Sequence, residues 1–384
     1  MVGEVLDRSS SYAGGVKLEQ ELRRIARSVD LAAIGFCSAD PFPEVEQSLR
    51  RAVESGRSGS LGFTFRDPTT ASDPSASFPW AESLVVVGHS YLADAGRSAE
   101  VNGSGVGRVA RFATGDNYVP LRRGLDILRE ALVAAGHRAE VLCDDNRLVD
   151  RAAAVRAGVG WWGKSAMVLA PAVGPWMLLG SIVTDAMLSH DRPMRRDCGS
   201  CQACIPACPT GAIIAPGVVD ARRCLAAIAQ SPGSVPIEFR SAMQNRFYGC
   251  DECLTACPPG ERLAAASFED SSGVDLVEVL ASADRPLRRR FAHFYVPRNE
   301  ARFLRRNAIV ALGNAASFEF TGVLAGMLGH PDPLLRSHAA WALGRGRDPR
   351  ALGALRAAAL TETNADVVEE IERALADAPL GTLA

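Results

Sequence analysis

Eight of the chain's ten cysteines lie between positions 198 and 257. The first four follow the spacing C-x2-C-x2-C-x3-C and precede Pro209. In bacterial ferredoxins three thiolates of such a run hold one 4Fe-4S cluster and the fourth binds a second cluster. A later run ends in Cys257-Pro258, and Cys224 stands alone between the two. Eight thiolates are the ligand number of two 4Fe-4S clusters, so this segment predicts a bacterial ferredoxin-like two-cluster domain.

The crossing pattern of these ferredoxins divides the cysteines into two groups. The first cysteine set is Cys198, Cys201, Cys204 and Cys257, and the second cysteine set is Cys208, Cys224, Cys250 and Cys253. Cys224 joins the second set because Phe247 stands where the later run would have its leading cysteine. A zinc ribbon would favour two well-separated cysteine pairs, and a disulfide framework would favour an oxidising compartment. Iron-sulfur ligation is therefore the preferred interpretation.

Length and charge limit the remaining possibilities. A chain of 384 residues with 47% hydrophobic and 22% charged residues is typical of a globular protein with several domains. The formal net charge of −2 gives no overall attraction for nucleic acid, so a nucleic-acid partner would need a local patch. The apolar stretches 83–87 and 176–182 are too short to span a membrane. With no recognisable export signal, we expect a cytoplasmic protein without a membrane segment.

Residues 1–190 alternate helical and strand patterns, which predicts an α/β or α+β domain. Helices are expected over 18–29 and 118–135, the second ended by Gly136, and buried strands over 83–88 and 177–184. Residues 56–79 are rich in Gly, Ser, Asp and Pro and predict a long surface loop.

The end of the chain contains an internal repeat. Residues 305–313 recur as residues 336–344, with matching Arg, Ala, Ala-Leu and Gly, and a weaker copy lies near 367–375. This alanine-rich, glycine-ended unit predicts an α-helical HEAT-like repeat, while a plain helical hairpin is the alternative. The predicted division of this multidomain α+β chain is 1–190, 191–265 and 266–384.

A basic stretch leads into the repeat. Its arginines are interleaved with Phe291, His293, Phe294 and Tyr295, a pattern suited to RNA because guanidinium groups bind phosphate and rings stack on unpaired bases. A solvated helix face is the alternative. The candidate RNA-binding residues are Arg285, Arg288, Arg298, Arg302 and Arg305.

Three groups of motifs together resemble the epoxyqueuosine reductase family. They are the cysteine runs 198–213 and 248–258 with the Arg223-Cys224 island, the Ala-Gly-Val-Gly-Trp motif at 157–161 with Gly163-Lys164, and the terminal helical repeat. The resemblance implies a cytoplasmic, monomeric enzyme that binds cobalamin and two 4Fe-4S clusters. It also implies the last step of queuosine synthesis, removal of the epoxide oxygen from epoxyqueuosine at the wobble position of tRNA.

The resemblance also implies roles for individual residues. Asp144 matches the family's proton donor, with the adjacent Asp145 as a rival. Electrons are expected from an external flavodoxin or ferredoxin through the clusters to cobalt. The residues expected at the cobalamin are Tyr118, Gly158, Gly160, Trp161 and Lys164.

The pocket motifs depart from the family pattern. Residues 145–147 read Asp-Asn-Arg where the family has Ser-Ala-Pro, and residues 117–119 read Asn-Tyr-Val where it has Asp-Tyr-His. Three other interpretations therefore stay open. They are a cobalamin and iron-sulfur reductase of another substrate, similar to a reductive dehalogenase, a non-catalytic electron-transfer protein, and an RNA-binding scaffold with structural clusters.

Overall fold

The computed structural model describes residues 9–92, 104–266, 273–346 and 348–377. Within these ranges it is a mixed α+β structure, which confirms the predicted fold class. None of its described helices combines the length and the apolar character needed to cross a bilayer.

The N-terminal part is built on a four-stranded antiparallel sheet in the order β1-β2-β7-β4. The predicted helices at 18–29 and 118–135 and both predicted strands are present. Its helices are α1 (Ser9–Ser28), α2 (Pro43–Glu54), α3 (Pro68–Ser72), α4 (Pro74–Ser77), α5 (Tyr118–Ala134) and α6 (Asp150–Arg156), and its strands are β1 (Ala33–Ser38), β2 (Ser83–Ser90), β3 (Val106–Val109), β4 (Ala139–Leu142), β5 (Trp161–Trp162), β6 (Val168–Leu169) and β7 (Met177–Thr184).

Both faces of this sheet are covered by helices. Side chains alternate along a strand, so Val85 and Val87 of β2 pack with α1 and α5 while Leu84 and Val86 pack with α6 on the opposite face. Because both faces are buried, β2 reads as a continuous apolar run. The sheet therefore holds the start of α5 and the turn between β4 and α6 in fixed positions.

The predicted surface loop at 56–79 is wrong in part. The segment folds into a 3-10 turn at Phe63–Phe65 followed by α3 and α4. Asp67 and Asp73 accept hydrogen bonds from backbone N–H groups at the starts of these two helices, each with proline in the first turn. The helices are too short to show a hydrophobic period, and only their caps signal them.

The cysteine-rich part consists of short elements, as expected where metal bonds replace part of a hydrophobic core. They are α7 (Cys204–Ala207), α8 (Leu225–Gln230), α9 (Ile237–Met243), α10 (Glu252–Thr255) and α11 (Pro258–Ala266), with strands β8 (Ile213–Ala215), β9 (Val218–Val219) and β10 (Arg246–Tyr248).

The C-terminal part is helical, and the predicted repeat is confirmed. The copies at 305–313, 336–344 and 367–375 lie in α14, α16 and α18, which pack side by side in that order. The elements are β11 (Val274–Asp275), α12 (Leu276–Ala281), α13 (Asp284–Arg290), α14 (Arg302–Ala315), α15 (Thr321–Met327), α16 (Pro333–Gly344), α17 (Pro349–Ala359) and α18 (Ala365–Asp377).

A small sheet joins the three parts of the chain. Strand β3 pairs in parallel with β10 and antiparallel with β11, in the order β10-β3-β11. One hydrophobic core runs from Val109 through Phe247 and Tyr248 to the repeat helices. The boundaries at 190 and 265 thus remain predictions along the sequence, while the packing continues across both of them.

Candidate active site

Asp144 and Asp145 lie in the turn between β4 and α6. Asp144 has φ of 56°, in the left-handed region that few non-glycine residues adopt. Strained backbone of this kind persists where the surrounding structure holds it, often at functional sites. Asp144 is exposed, so its carboxyl group is accessible to a ligand.

The two aspartates have opposite electrostatic environments. Desolvation by the surrounding protein raises the pKa of Asp144, the charge of Arg122 opposes this shift, and Asp145 adds to it. Asp145 accepts hydrogen bonds from the guanidinium of Arg147 at 2.7 and 3.0 Å and from its backbone N–H at 2.9 Å, which lowers the pKa of Asp145. The carboxyl of Asp144 therefore keeps its proton to a higher pH than that of Asp145, which is in an ion pair with Arg147.

Tyr118 and Asp150 belong to the same pocket as Asp144. Burial, and then the nearby charges of Asp144, Cys143 and Asp150, raise the pKa of Tyr118. Burial followed by the charge of Asp144 raises the pKa of Asp150 well above its usual value. The buried Oδ1 atom of Asp150 has no hydrogen-bond partner among the residues that the structure describes. A buried polar atom of this kind is costly unless a ligand or a water molecule satisfies it.

Arg151 connects this pocket to the second cysteine set. Its guanidinium is accessible to solvent, yet desolvation by surrounding protein lowers the pKa of Arg151, while Asp150, Cys224 and Tyr118 favour the charged form. Because the Arg151 side chain is both accessible to solvent and surrounded by protein atoms, we infer that it lines a concave site. Tyr248 lies at the same site, since Asp144 adds to the burial that raises the pKa of Tyr248.

Two of the residues predicted at the cofactor, Gly158 and Gly160, lie where backbones pack closely. A Cβ atom on Gly158 would lie 2.5 Å from the carbonyl oxygen of Arg192, and one on Gly160 would lie 2.3 Å from that of Leu169. Both glycines are therefore explained by close backbone packing rather than by an approaching ligand.

Trp161 and Lys164 lie towards the first cysteine set. Nζ of Lys164 donates to the carbonyl oxygen of Gly199 at 2.7 Å, and the guanidinium of Arg196 lies over the Trp161 ring at 5.6 Å. Arg151, the neighbour of Asp150, donates to the carbonyl oxygen of Ala166 at 3.2 Å, which ties the loop after Trp161 and Lys164 to the surroundings of Asp144. The grouping of Gly158, Gly160, Trp161 and Lys164 with Tyr118 stays a prediction.

The thiols of the first cysteine set are neighbours. Burial and the charges of Cys198 and Cys201 raise the pKa of Cys204. Cys257 is distant in sequence but lies in the field of the other three, which adds to the burial that raises its pKa.

The thiols of the second set are also neighbours. Burial, then Cys224, Cys250 and Cys208, raise the pKa of Cys253. Among the described residues, no three His, Cys, Asp or Glu side chains are close enough to ligate one metal ion. In a 4Fe-4S cluster each iron takes a single thiolate from the protein.

The basic stretch is divided between surface and interior. Arg285 and Arg288 on α13 are exposed, and the Arg298 side chain is 81% exposed. Arg302 is half-buried and pairs with Glu300 at 2.6 Å and with Asp332 at 3.5 Å.

Arg305 does not fit the predicted role in RNA binding. It is buried and donates to Asp284 and to the carbonyl oxygen of Ser282, both at 2.6 Å. The neighbouring Arg306 is fully buried, and its guanidinium donates to the carbonyl oxygens of residues 228, 229, 231 and 233. Both arginines hold α14 against other segments of the chain.

The sequence analysis missed Asp150, Arg151 and Tyr248. An aspartate in the first turn of a helix is ordinarily explained by the helix dipole, which hid Asp150 at the start of α6. Tyr248 is adjacent to the cysteine run 250–257 in sequence, and only the pairing of β10 with β3 brings it near α5. In the sequence, Asp150 and Arg151 follow the apolar Val149 and form no recognisable motif, so nothing there indicates a pocket.

Two family models match the chain. The model of a 4Fe-4S double cluster binding domain matches residues 197–260, and that of HEAT repeats matches residues 298–376. The epoxyqueuosine reductase of Bacillus subtilis (strain 168) is 32% identical over 372 residues, covering 94% of this chain and 95% of the relative.

Solved structures share the fold. A crystal structure of epoxyqueuosine reductase with an epoxyqueuosine-modified tRNA-Tyr stem loop has a TM-score of 0.85 at 31% identity, covering 94% of this chain and 99% of that chain. A structure of the B. subtilis epoxyqueuosine reductase has the same TM-score at 30% identity and the same coverage. In that structure a catalytic loop identified by an aspartate is swung out of the active site.

Proposed function

The chain belongs to the epoxyqueuosine reductase family, and we propose that it reduces epoxyqueuosine to queuosine at the wobble position of tRNA. As a member of this family it is an oxidoreductase. Removal of an epoxide oxygen as water takes up two electrons and two protons. The reaction therefore needs an electron supply, a proton donor and a surface for tRNA.

Asp144 is the proposed proton donor, and its contrast with Asp145 is the observation that carries the proposal. A carboxyl group can donate a proton near neutral pH only if its pKa is raised. The pKa of Asp144 is raised and its carboxyl is exposed, whereas Arg147 lowers the pKa of Asp145. The B. subtilis relative has a catalytic loop that is identified by an aspartate, which supports an acid at this turn.

The eight cysteines are proposed to hold two 4Fe-4S clusters. The match to a double cluster binding domain supports iron-sulfur ligation in this segment. The neighbour relations of Cys257 with the first set, and of Cys253 with the second, support one cluster on each set. We expect the clusters to receive electrons one at a time from an external flavodoxin or ferredoxin.

The pocket beside Asp144 fits a large polar ligand such as cobalamin. The corrin ring carries amide side chains, which could satisfy the unpartnered oxygen of Asp150 and bind the guanidinium of Arg151. Tyr118 and Tyr248 would provide ring surface at the same site. When bound, the cobalt supplies electrons to the epoxide. We therefore propose that Asp150 and Arg151 hold the cofactor together with Tyr118, beside the predicted contacts of Gly158, Gly160, Trp161 and Lys164.

The exposed arginines Arg285, Arg288 and Arg298 are proposed to bind phosphates of the tRNA. The relative with a bound tRNA stem loop supports tRNA as the partner. Replacing all three with alanine should weaken tRNA binding about 10-fold or more. Each phosphate contact adds roughly 0.7 to 0.9 to the slope of log affinity against log salt concentration, so this slope should become smaller as well. Titration of tRNA into the protein at several salt concentrations measures both quantities.

A matched control exists for these substitutions. Arg51 and Arg356 are also exposed and make no ion pair in the described ranges, so their replacement with alanine should leave the salt slope unchanged. An equal loss of affinity in both variants would contradict the assignment of this surface.

The proposed function is tested by anaerobic assay of the protein after reconstitution with iron, sulfide and cobalamin. The substrate is tRNA that carries epoxyqueuosine, and the nucleosides are identified by mass spectrometry. Appearance of queuosine is the expected result. Absence of queuosine with both clusters and cobalamin bound would mean that residues 117–119 and 145–147, which depart from the family pattern, select another substrate.

A further inference from the structure

One side of the cysteine-rich part exposes a thiol next to a group of unpaired positive charges. Of the ten cysteines, all within the described ranges, only Cys201 is exposed. Arg192, Arg195 and Arg196 precede it within the same surface segment and are all exposed. Trp162 is 44% exposed, and Lys164 two residues later binds the cysteine loop through Gly199. We call Trp162, Lys164, Arg192, Arg195, Arg196 and Cys201 the Cys201 face.

Hydrogen bonds and ion pairs hold this face in place. At one end, Asp191 accepts hydrogen bonds from Arg23 at 2.7 Å and from the backbone N–H of Phe36 at 2.9 Å. At the other end, the backbone N–H of Gly199 donates to Asp197 at 2.6 Å and its carbonyl oxygen accepts from Lys164. The segment is therefore tied to the main sheet and to the cysteine loop, which favours binding by a preformed surface.

The arginines of the face keep an unpaired positive charge among the described residues. Arg192, Arg195 and Arg196 make no ion pair in the part of the chain that the structure describes. By contrast, Arg222 elsewhere in the cysteine-rich part pairs with Asp220 at 2.7 Å. The two acids adjacent to this segment in sequence have other partners, because Asp191 pairs with Arg23 and Asp197 accepts from the backbone N–H of Gly199. The chain as a whole carries a formal charge of −2, so this concentration of positive charge is local.

The two cysteine sets differ in their exposure to solvent, and this difference bears on electron supply. No member of the second set is exposed, and Arg151 of the Asp144 pocket lies in the field of Cys224 and Cys253. The first set reaches the surface through Cys201. An external carrier can therefore approach the first set closely, while the second set lies beside the pocket.

We propose that the Cys201 face is the docking surface for a small acidic protein that carries one electron. This inference rests on the proposed function, because it assigns a surface to the electron supply that the reaction needs. In each docking event the reduced carrier loses one electron and a cluster in the +2 state gains it. Two such events supply the two electrons which, with two protons, convert the epoxide to an alkene and water.

An acidic protein fits this face better than RNA does. Positive charges around an exposed redox centre increase the encounter rate with a negatively charged carrier, and the exposed Trp162, in the segment that Lys164 ties to the cysteine loop, adds apolar surface. Recognition of unpaired RNA bases usually takes several exposed aromatic side chains, whereas this face has Trp162 alone among its members.

The test measures cluster reduction in the reconstituted full-length protein, without tRNA. Reduced plant-type ferredoxin is mixed anaerobically with the protein in a stopped-flow instrument, and cluster bleaching is followed at several ionic strengths. The Arg192→Glu/Arg195→Glu variant is compared with an Arg51→Glu/Arg356→Glu control that has the same net charge. At low ionic strength we expect the second-order rate constant to fall at least 10-fold in the first variant only, with loss of its salt dependence.

Dithionite reduction and tRNA titration distinguish the outcomes. A small reductant does not need the docking surface, so its rate should change far less than the ferredoxin rate, and any change reflects only the altered charge. Unchanged ferredoxin rates in Arg192→Glu/Arg195→Glu would overturn the proposal, and unchanged ferredoxin rates with weaker tRNA binding would show that the face binds RNA. If the double variant holds less iron than the wild type, Arg195→Gln and Trp162→Ala serve in the same comparison, each with a smaller expected decrease. Because cluster reduction is measured without substrate, the result is independent of whether epoxyqueuosine is converted.

Discussion

At the scale of single residues, two adjacent aspartates show how position decides chemistry. Asp144 and Asp145 are chemically identical and one peptide bond apart. The left-handed backbone at Asp144 directs the two side chains into different surroundings. One carboxyl meets the pocket and the other meets Arg147. The same chain segment can therefore hold a proton donor beside a structural anion.

Asp144→Asn should lower the rate of queuosine formation at least 100-fold, because general acid catalysis contributes roughly 10²- to 10⁴-fold. Asparagine tolerates a left-handed backbone, so the turn and the bound cofactors should be preserved. Single-turnover assays with mass spectrometry measure the rate. Asp145→Asn is the control and should lose far less, since it removes only the contact with Arg147. The assignment fails if the two variants lose activity equally.

The raised pKa of Asp144 also sets a direction for pH. The acid form must be present for proton donation, so the single-turnover rate should fall as pH rises through the raised pKa. Folding favours the protonated carboxyl, and this contribution to stability is complete below the usual pKa and is lost as pH rises through the raised value. Asp144→Asn should therefore unfold at a slightly higher temperature than wild type at neutral pH, and at the same temperature at low pH.

Arginines illustrate what single residues reveal from sequence and what they do not. Composition correctly indicated a basic surface at Arg285, Arg288 and Arg298, because these side chains are exposed. It could not separate them from Arg306, which is fully buried among backbone carbonyl groups. Burial lowers the pKa of Arg306 to about 9, yet its guanidinium donates hydrogen bonds to four carbonyl oxygens in and after α8. Whether an arginine here is exposed or buried depends on hydrogen-bond partners from another segment of the chain.

At the scale of elements, the repeat was predictable because one physical requirement recurs. A Cβ atom on Gly313 would lie 2.7 Å from Cβ of Ala342, and one on Gly344 would lie 2.8 Å from Cβ of Ala374. The glycine that ends each of the first two copies is thus needed where α14, α16 and α18 pack closely. By contrast, α3 and α4 within 56–79 have too few residues for a period, and their composition alone predicts a loop.

Gly344→Ala should lower the free energy of unfolding by about 1–3 kcal/mol, because the added methyl group overpacks the contact between α16 and α18. Gly353→Ala in α17 is the matched control, since nothing lies within 4 Å of its added methyl group. It should raise stability by about 0.5–1 kcal/mol, the usual difference between alanine and glycine within a helix. Urea unfolding followed by circular dichroism measures both. Equal effects in the two variants would contradict close packing of the repeat.

At the scale of the whole molecule, strand β3 links parts of the chain that sequence divides into domains. Its partners β10 and β11 come from the cysteine-rich part and from the start of the helical part. No local pattern could predict this sheet, because β10 and β11 have only three and two residues. Their pairing depends on contacts between residues more than a hundred positions apart. The predicted domains therefore follow changes in composition along the sequence, whereas the sheet couples these parts through strand pairing.

Gly107 of β3 tests that coupling. A Cβ atom there would lie 2.5 Å from Cδ2 of Leu276 and 2.8 Å from Cβ of Phe247, so Gly107→Ala forces β3 away from both partners. We expect a loss of about 1–3 kcal/mol, with helical circular dichroism and iron-sulfur absorbance decreasing together at one lower temperature. Gly115→Ala, with nothing within 4 Å of the added methyl group, should leave both transitions at the wild-type temperature. If only the absorbance transition moved in Gly107→Ala, the cysteine-rich part would unfold independently of the repeat. A single shifted transition would mean that electron supply, pocket and tRNA surface are held by one cooperative structure.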